Sequence, residues 1–228
     1  QGRLNGINFT TGVFTNFTQD HLDYHKNMKN YFKSKMILFS NLLSKKKNVI
    51  ADKETNKFLR LKRIAISRKL NLLTIDENSM IKSAKISLIG KFQSKNLLMA
   101  ALAAKLSGLS EKEINSTLKD IKSVNGRLEL TRVLPNQAKI FIDYAHTPDA
   151  YEKLFSSITN IVDKKTKIIS LFGCGGNRDY KNRSIIGKIS ENYSDYIIIT
   201  TDNPRGENID MINNDILKGF SNKNFIII

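Results

Sequence analysis

Two rhythms of hydrophobic and polar positions alternate along this chain. Residues 13–16 are apolar and β-prone, and Met28, Tyr31, Phe32, Met36, Phe39 and Leu43 then recur at helical spacing. The pattern predicts a strand end, a polar loop and a helix, which places the loop at the carboxyl edge of a sheet, where α/β proteins bind ligands. Residues 48–52, 64–67 and 72–75 read as short strands, and 80–89 alternates loosely enough for another. Residues 90–105, GKFQSKNLLMAALAAK, pass from a loop into an Ala- and Leu-rich helix that Gly108 stops. Ser110 and Glu113 form a capping box for a second helix reaching about Ile121.

From Lys139 the order becomes regular: strands at 140–144, 167–172, 196–200 and 225–228, with helices at 147–162, 183–193 and 209–220 between them. Such alternation predicts a mostly parallel sheet with covering helices. Thr147 is a good N-cap and Pro148 a good first helical residue.

Composition narrows the class. The 228 residues are 40% hydrophobic and 25% charged, as in a soluble globular protein with one large or two modest domains. A net charge of +16 raises the possibility of a basic nucleic-acid-binding module. The lysines, however, are scattered among Asn and Ile, with no Arg-rich or aromatic-interleaved stripe, which favours solvated faces. A single cysteine, Cys174, excludes an intrachain disulfide framework and suits a reducing compartment. No run of about 18 apolar residues predicts a transmembrane helix. The chain starts at Gln1 rather than Met and ends in a predicted strand, and reads as an internal fragment of a longer protein.

The chemistry is concentrated. The loop before the first helix carries Asp20, His21, Asp23 and His25, in a chain with only three histidines. Lys35 is flanked by Phe32, Met36 and Phe39. Partial desolvation of its amine favours the neutral form, which can take up carbon dioxide as a carbamate, an oxygen ligand for Mg²⁺. A hydrogen-bonded turn remains the alternative, and HExxH is absent. Other candidates have plain readings of their own: Asn96 as a helix cap, Arg127 as a turn residue, Asp143 as a strand-end acid. Residues 173–178, GCGGNR, form a glycine loop that is not GxGxxG, and no histidine is placed to activate Cys174. In residues 202–205, DNPR, Pro204 fixes a turn and Arg205 is expected to point its planar fork outward.

The run TNFTQDHLDYH followed by YFKSK resembles the central domain of the Mur ligases, and among them those that add the third residue of the peptidoglycan stem peptide. That resemblance implies an α/β chain: the C-terminal part of a central ATPase-type domain (1–125), then a truncated Rossmann-like C-terminal domain (126–228). It implies His21 and carbamylated Lys35 at a Mg²⁺ site. Gln1 and Arg3 match a segment that contacts the UDP-linked substrate. Asn96 matches the second Asn of G-x-F-N-x-x-N, a nucleotide contact, although Gln93 replaces the first. VNGRLEL at 124–130 resembles the hinge V-P-G-R-M-E, with Asn125 in place of Pro. Arg127 would then reach ATP phosphates or ribose. In DYAHTPDA, Asp143 would meet the ribose and His146 would lie beside the nucleotide. Arg178 would bind the incoming amino acid. Asp202, Asn203, Pro204 and Arg205 would select meso-diaminopimelate through its distal carboxylate, which lysine lacks.

The activity so implied is ATP-dependent amide-bond formation between UDP-N-acetylmuramoyl-L-alanyl-D-glutamate and meso-diaminopimelate, by an enzyme expected to be cytoplasmic and monomeric, with no nucleic-acid or membrane partner. No G-x-x-x-x-G-K-[ST] occurs, so the phosphate loop would precede Gln1 and the fragment alone is expected to be inactive. A lysine-adding ligase and a folylpolyglutamate synthase are the related alternatives. The stretch between the Lys35 helix and residue 90 is short for the family.

Overall fold

The computed structural model describes residues 6–75, 88–118, 120–221 and 225–228. Gln1 and Arg3, and most of the strand expected at 80–89, lie outside them. The elements in chain order are β1 (Thr11–Phe14), α1 (Leu22–His25), α2 (Met28–Ile37) continued by a π-helical turn at Leu38–Leu42, β2 (Asn48–Ala51), α3 (Phe58–Ser67), β3 (Asn71–Thr74), α4 (Lys91–Leu106) and α5 (Glu111–Leu118). They are followed by β4 (Glu129–Val133), β5 (Lys139–Ile142), α6 (Pro148–Thr159), β6 (Ile169–Phe172), α7 (Lys181–Tyr193), β7 (Tyr196–Ile199), α8 (Ile209–Leu217) and β8 (Phe225–Ile227). Two compact units result: Gln1–Thr18 with Asn27–Ser123, and Gln19–Lys26 with Val124–Ile228.

In the first unit β1, β2 and β3 make a parallel sheet with β2 central. Val49, Ile50 and Ala51 are fully buried, as expected of a parallel strand covered on both faces. Tyr31, Phe32 and Met36 of α2 pack with Phe14, Phe17 and Phe39, and with Leu61 and Ala65 of α3. Residues 64–67, expected as a strand, are the end of α3. Ile66 is 67% exposed and the buried stripe is Leu61 with Ala65, one helical turn apart, which is a helical period.

In the second unit β4 and β5 form an antiparallel hairpin, with Leu130 opposite Phe141 and an irregularity between Leu130 and Arg132. The sequence pattern did not anticipate β4, because its side chains are mostly exposed and show no apolar face. β6, β7 and β8 are parallel, and Ile197 and Ile199 of β7 pack with Phe155, Phe172, Ile186, Ile212 and Ile216. Phe172 pairs with Ile199, so the loops after β6 and β7 leave the same edge of the sheet. No helix among the described residues is long and apolar enough to cross a membrane.

Candidate functional site

The two loops at that edge are stitched together, and the stitching explains their glycines. The Gly176 amide donates to the Asn203 carbonyl at 2.9 Å, and Arg205 Nη1 donates to the Gly176 carbonyl at 2.6 Å. A Cβ on Gly173 would stand 2.1 Å from the Thr200 carbonyl oxygen, and one on Gly176 only 1.8 Å from that of Pro204. The glycine run is thus required by the backbone of the DNPR loop, which runs against it. Arg205 departs from the expected outward fork: it sits at φ 52°, its amide bonds to Asn203 Oδ1, and one guanidinium nitrogen turns back onto the glycine loop. Arg178, Asp202 and Asn203 are exposed, while Pro204 is half-buried. Burial pushes the Cys174 thiol up to about 12, so at neutral pH it is protonated and a poor nucleophile.

A second cluster forms where β5 ends. Asp143 Oδ2 accepts the Leu128 amide at 2.6 Å, and the Tyr144 amide donates to the Gly126 carbonyl at 2.8 Å, so the turn carrying Arg127 is clamped to the end of β5. The Arg127 guanidinium lies 5.2 Å over the Tyr144 ring. Tyr144 meets the His146 ring edge-to-face at 5.9 Å, and His146 Nδ1 stands 3.1 Å from the Tyr144 carbonyl. His146 Nε2 faces Asp20 Oδ2 at 3.8 Å, and His21 Nε2 faces the same oxygen at 3.4 Å. The His21 amide donates to Asp20 Oδ1 at 2.8 Å, holding His21 in the left-handed region at φ 54° ahead of α1. His21 and His146 thus meet at Asp20, while Tyr144 and the Leu128 amide tie Arg127 to His146 and Asp143.

In the first unit, Lys35 is half-buried and its Nζ lies 5.1 Å above the Tyr31 ring, one helical turn away. Asn96 is exposed on the second turn of α4 and lines a cavity of about 310 Å³ with Val13, Thr15, Asn16 and Met99. It is not a helix cap, since Gly90 holds that position.

Two family models match the chain: the Mur ligase middle domain over residues 1–104, and the Mur ligase, glutamate ligase domain over residues 126–228. The chain belongs to the Mur ligase family. It is 40% identical over 245 residues to the UDP-N-acetylmuramoyl-L-alanyl-D-glutamate--2,6-diaminopimelate ligase of Aquifex aeolicus, covering 100% of this chain and 50% of that protein. The ligase of the same name from Rickettsia bellii is 36% identical over 248 residues, covering 99% of this chain and 52% of that protein. This Mur ligase chain thus spans about half the length of the curated relatives it matches. Among solved structures, a Mycobacterium tuberculosis folylpolyglutamate synthase has a TM-score of 0.75 at 18% identity, covering 98% of this chain and 55% of that one. A solved 2,6-diaminopimelate ligase has a TM-score of 0.57 at 24% identity, covering 100% of this chain and 51% of that one. Both likenesses bear on the fold.

Within this Mur ligase chain, sequence reasoning passed over two cations that organise the loops. Lys95 places Nζ 2.5 Å from both Asp52 Oδ2 and Glu54 Oε2, tying α4 to the end of β2. Burial alone would pull its amine down, but the bonds to the two carboxylates outweigh this and raise it. Arg183, 4% exposed in its side chain, pairs with Glu207 at 2.8 Å and Asp215 at 3.1 Å. Neither carries a motif signal; only tertiary contacts single them out.

Proposed function

We propose that the full-length protein containing this chain adds meso-diaminopimelate to UDP-N-acetylmuramoyl-L-alanyl-D-glutamate at the expense of ATP, in peptidoglycan synthesis in the cytoplasm. The observation that carries the reading is the joined pair of loops at the carboxyl edge of β6 and β7, the loops to which Arg178, Asp202, Asn203, Pro204 and Arg205 belong. Two guanidinium groups beside an aspartate suit an amino acid with two carboxylates and an ammonium. The names of the similar ligases support the same substrate.

In this reading the D-Glu side-chain carboxylate attacks the γ-phosphate of ATP, giving an acyl phosphate and ADP. The amine of diaminopimelate then attacks the acyl carbon, phosphate leaves, and the amine gives up a proton. The amino-acid loops act by holding that amine in line with the acyl carbon. Arg127, Asp143 and His146 serve the nucleotide: Arg127 brings positive charge towards phosphate, and Asp143 keeps one carboxylate oxygen for ribose while the other holds Leu128. Asn96 is a further nucleotide contact, and Gln1 and Arg3 meet the UDP-linked substrate. Residues 1–125 are assigned to the central ATP-binding domain and 126–228 to the C-terminal domain.

Mg²⁺ is assigned to His21 and carbamylated Lys35. No group of three or more His, Cys, Asp or Glu among the described residues could hold a metal by itself. An imidazole and a carbamate oxygen are each suitable donors to Mg²⁺, which keeps waters and substrate phosphates as its remaining ligands. When bound, it would neutralise phosphate charge.

The test is amino-acid-dependent ADP release by the full-length protein with the UDP-dipeptide present. Release with meso-diaminopimelate and not with L-lysine is the expected result, because a site built around a second carboxylate leaves an arginine unpaired when lysine binds. Equal release with lysine would keep the ligase reading and remove the role given to Arg205. Absence of release with either amino acid would overturn the ligase reading.

A further inference from the structure

Arg183 is the most deeply buried charged group described in the second unit, at 3% exposure, and no motif contains it. A buried guanidinium persists only when paired and hydrogen-bonded, and its partners are instructive. Nη2 bonds Glu207 Oε2, just past the DNPR loop, and also reaches the Gly175 carbonyl at 3.3 Å in the glycine loop. Nη1 bonds Asp215 Oδ2 on α8. Glu207 in turn uses Oε1 to take the Asn177 amide, the residue next to Arg178. One guanidinium therefore joins three segments: the glycine loop, the end of the DNPR loop and α8.

Charge decides what Arg183 does. Its single positive charge already faces two carboxylates, Glu207 and Asp215, and Lys218 Nζ adds a bond to Asp215 Oδ1 at 2.6 Å. The guanidinium is enclosed and neutralised, so it has no capacity left for a substrate carboxylate. Arg178 and Arg205, both exposed, retain that capacity.

We propose that Arg183 is a positioning residue for amino-acid selection: through Glu207 and the Gly175 carbonyl it sets the spacing between the loop bearing Arg178 and the loop bearing Arg205. The proposal rests on the ligase reading given above. A substrate recognised through both of its carboxylates rewards two arginines held at one matching separation, and a displacement of about 1 Å at such a site costs up to roughly a hundredfold.

The test uses two variants of the full-length protein and compares the KM of each substrate. Arg183→Lys keeps the charge but loses the fork that reaches two carboxylates and a carbonyl at once. Glu207→Gln keeps the shape of its side chain, is partly exposed, and weakens only the pairing; it remains informative should Arg183→Lys fold poorly. Each is expected to raise the KM for meso-diaminopimelate about tenfold or more while leaving the KM for ATP and for the UDP-dipeptide within about twofold. The preference for diaminopimelate over lysine should narrow in parallel. An unchanged amino-acid KM in Glu207→Gln would overturn the brace, as would a rise in all three KM values together with a lowered Tm, the mark of a merely structural role. Absence of turnover in the unsubstituted protein would instead fell the ligase reading, and the positioning role with it.

Discussion

Gly176 illustrates how a motif residue can be dictated by backbone packing. Its position beside the Pro204 carbonyl leaves no room for a methyl group, since an added Cβ would stand 1.8 Å from that oxygen. Gly176→Ala is therefore expected to push the two loops apart and destabilise the second unit by about 1–3 kcal/mol, the usual cost of overpacking. Thermal unfolding would measure it, and an unchanged Tm would mean that the loops separate easily. The GCGG run was legible in the sequence as a glycine loop, yet its reason was not, because the residue that fills the space arrives from 28 positions later in the chain, from Gly176 to Pro204. Arg205 carries the same lesson. The sequence located it in a turn after a strand, but its bond to the Gly176 carbonyl depends on a loop that only folding brings near.

Helix α6 was legible almost in full. Thr147 has an extended backbone and its hydroxyl accepts the Ala150 amide at 3.4 Å, with Pro148 as the first helical residue. This cap directly follows His146, so it also fixes where the imidazole stands ahead of α6. Replacing the cap by Thr147→Ala should cost about 1 kcal/mol of stability, read from urea unfolding; Thr147→Ser should recover most of it. Helix α3 was legible only as an apolar stretch. A stretch as short as residues 64–67 fits either period, and the face turned to the π-helical turn at Leu38–Leu42 and to β3 decided for the helix. Strand β4 was invisible for the opposite reason: it pairs through its backbone with β5 while its side chains stay largely in solvent.

Across both units the titrating ion pairs point one way. Hydrogen bonds from Lys95, from Lys105, from the Ser110 side chain, from the Asn177 amide and from Lys218 hold Glu54, Glu111, Glu113, Glu207 and Asp215 respectively below their ordinary values of 4.5 for Glu and 3.8 for Asp. A carboxylate depressed in the folded state contributes stability that is present above its unfolded value and lost as pH falls through its folded one. Stability should accordingly decline below about pH 4.5, with a slope that flattens in high salt to the extent of the exposed groups Glu54, Glu111 and Glu113, which salt screens. Lys95, held up by Asp52 and Glu54 against its burial, and Lys167, held up by Asp195, sit above 10.5, so their contribution is present below that value and fades as pH rises beyond it. Urea unfolding across this range checks both arms; constant stability down to about pH 3 would show that the pairs contribute nothing measurable.

The chain's own order of residues determined its α/β class, most helix and strand positions, and the local chemistry of each motif, because periodicity, caps and turns act over a few neighbours. It also carried the likeness to Mur ligases, in runs long enough to be read as text. Tertiary structure alone decided which distant groups meet: Asp20 between His21 and His146, Asp143 on the Leu128 amide, Lys95 on Asp52 and Glu54, Arg183 on Glu207 and Asp215. Those pairings depend on strand register and on which side chains lose water, and neither quantity is a property of any short stretch of sequence.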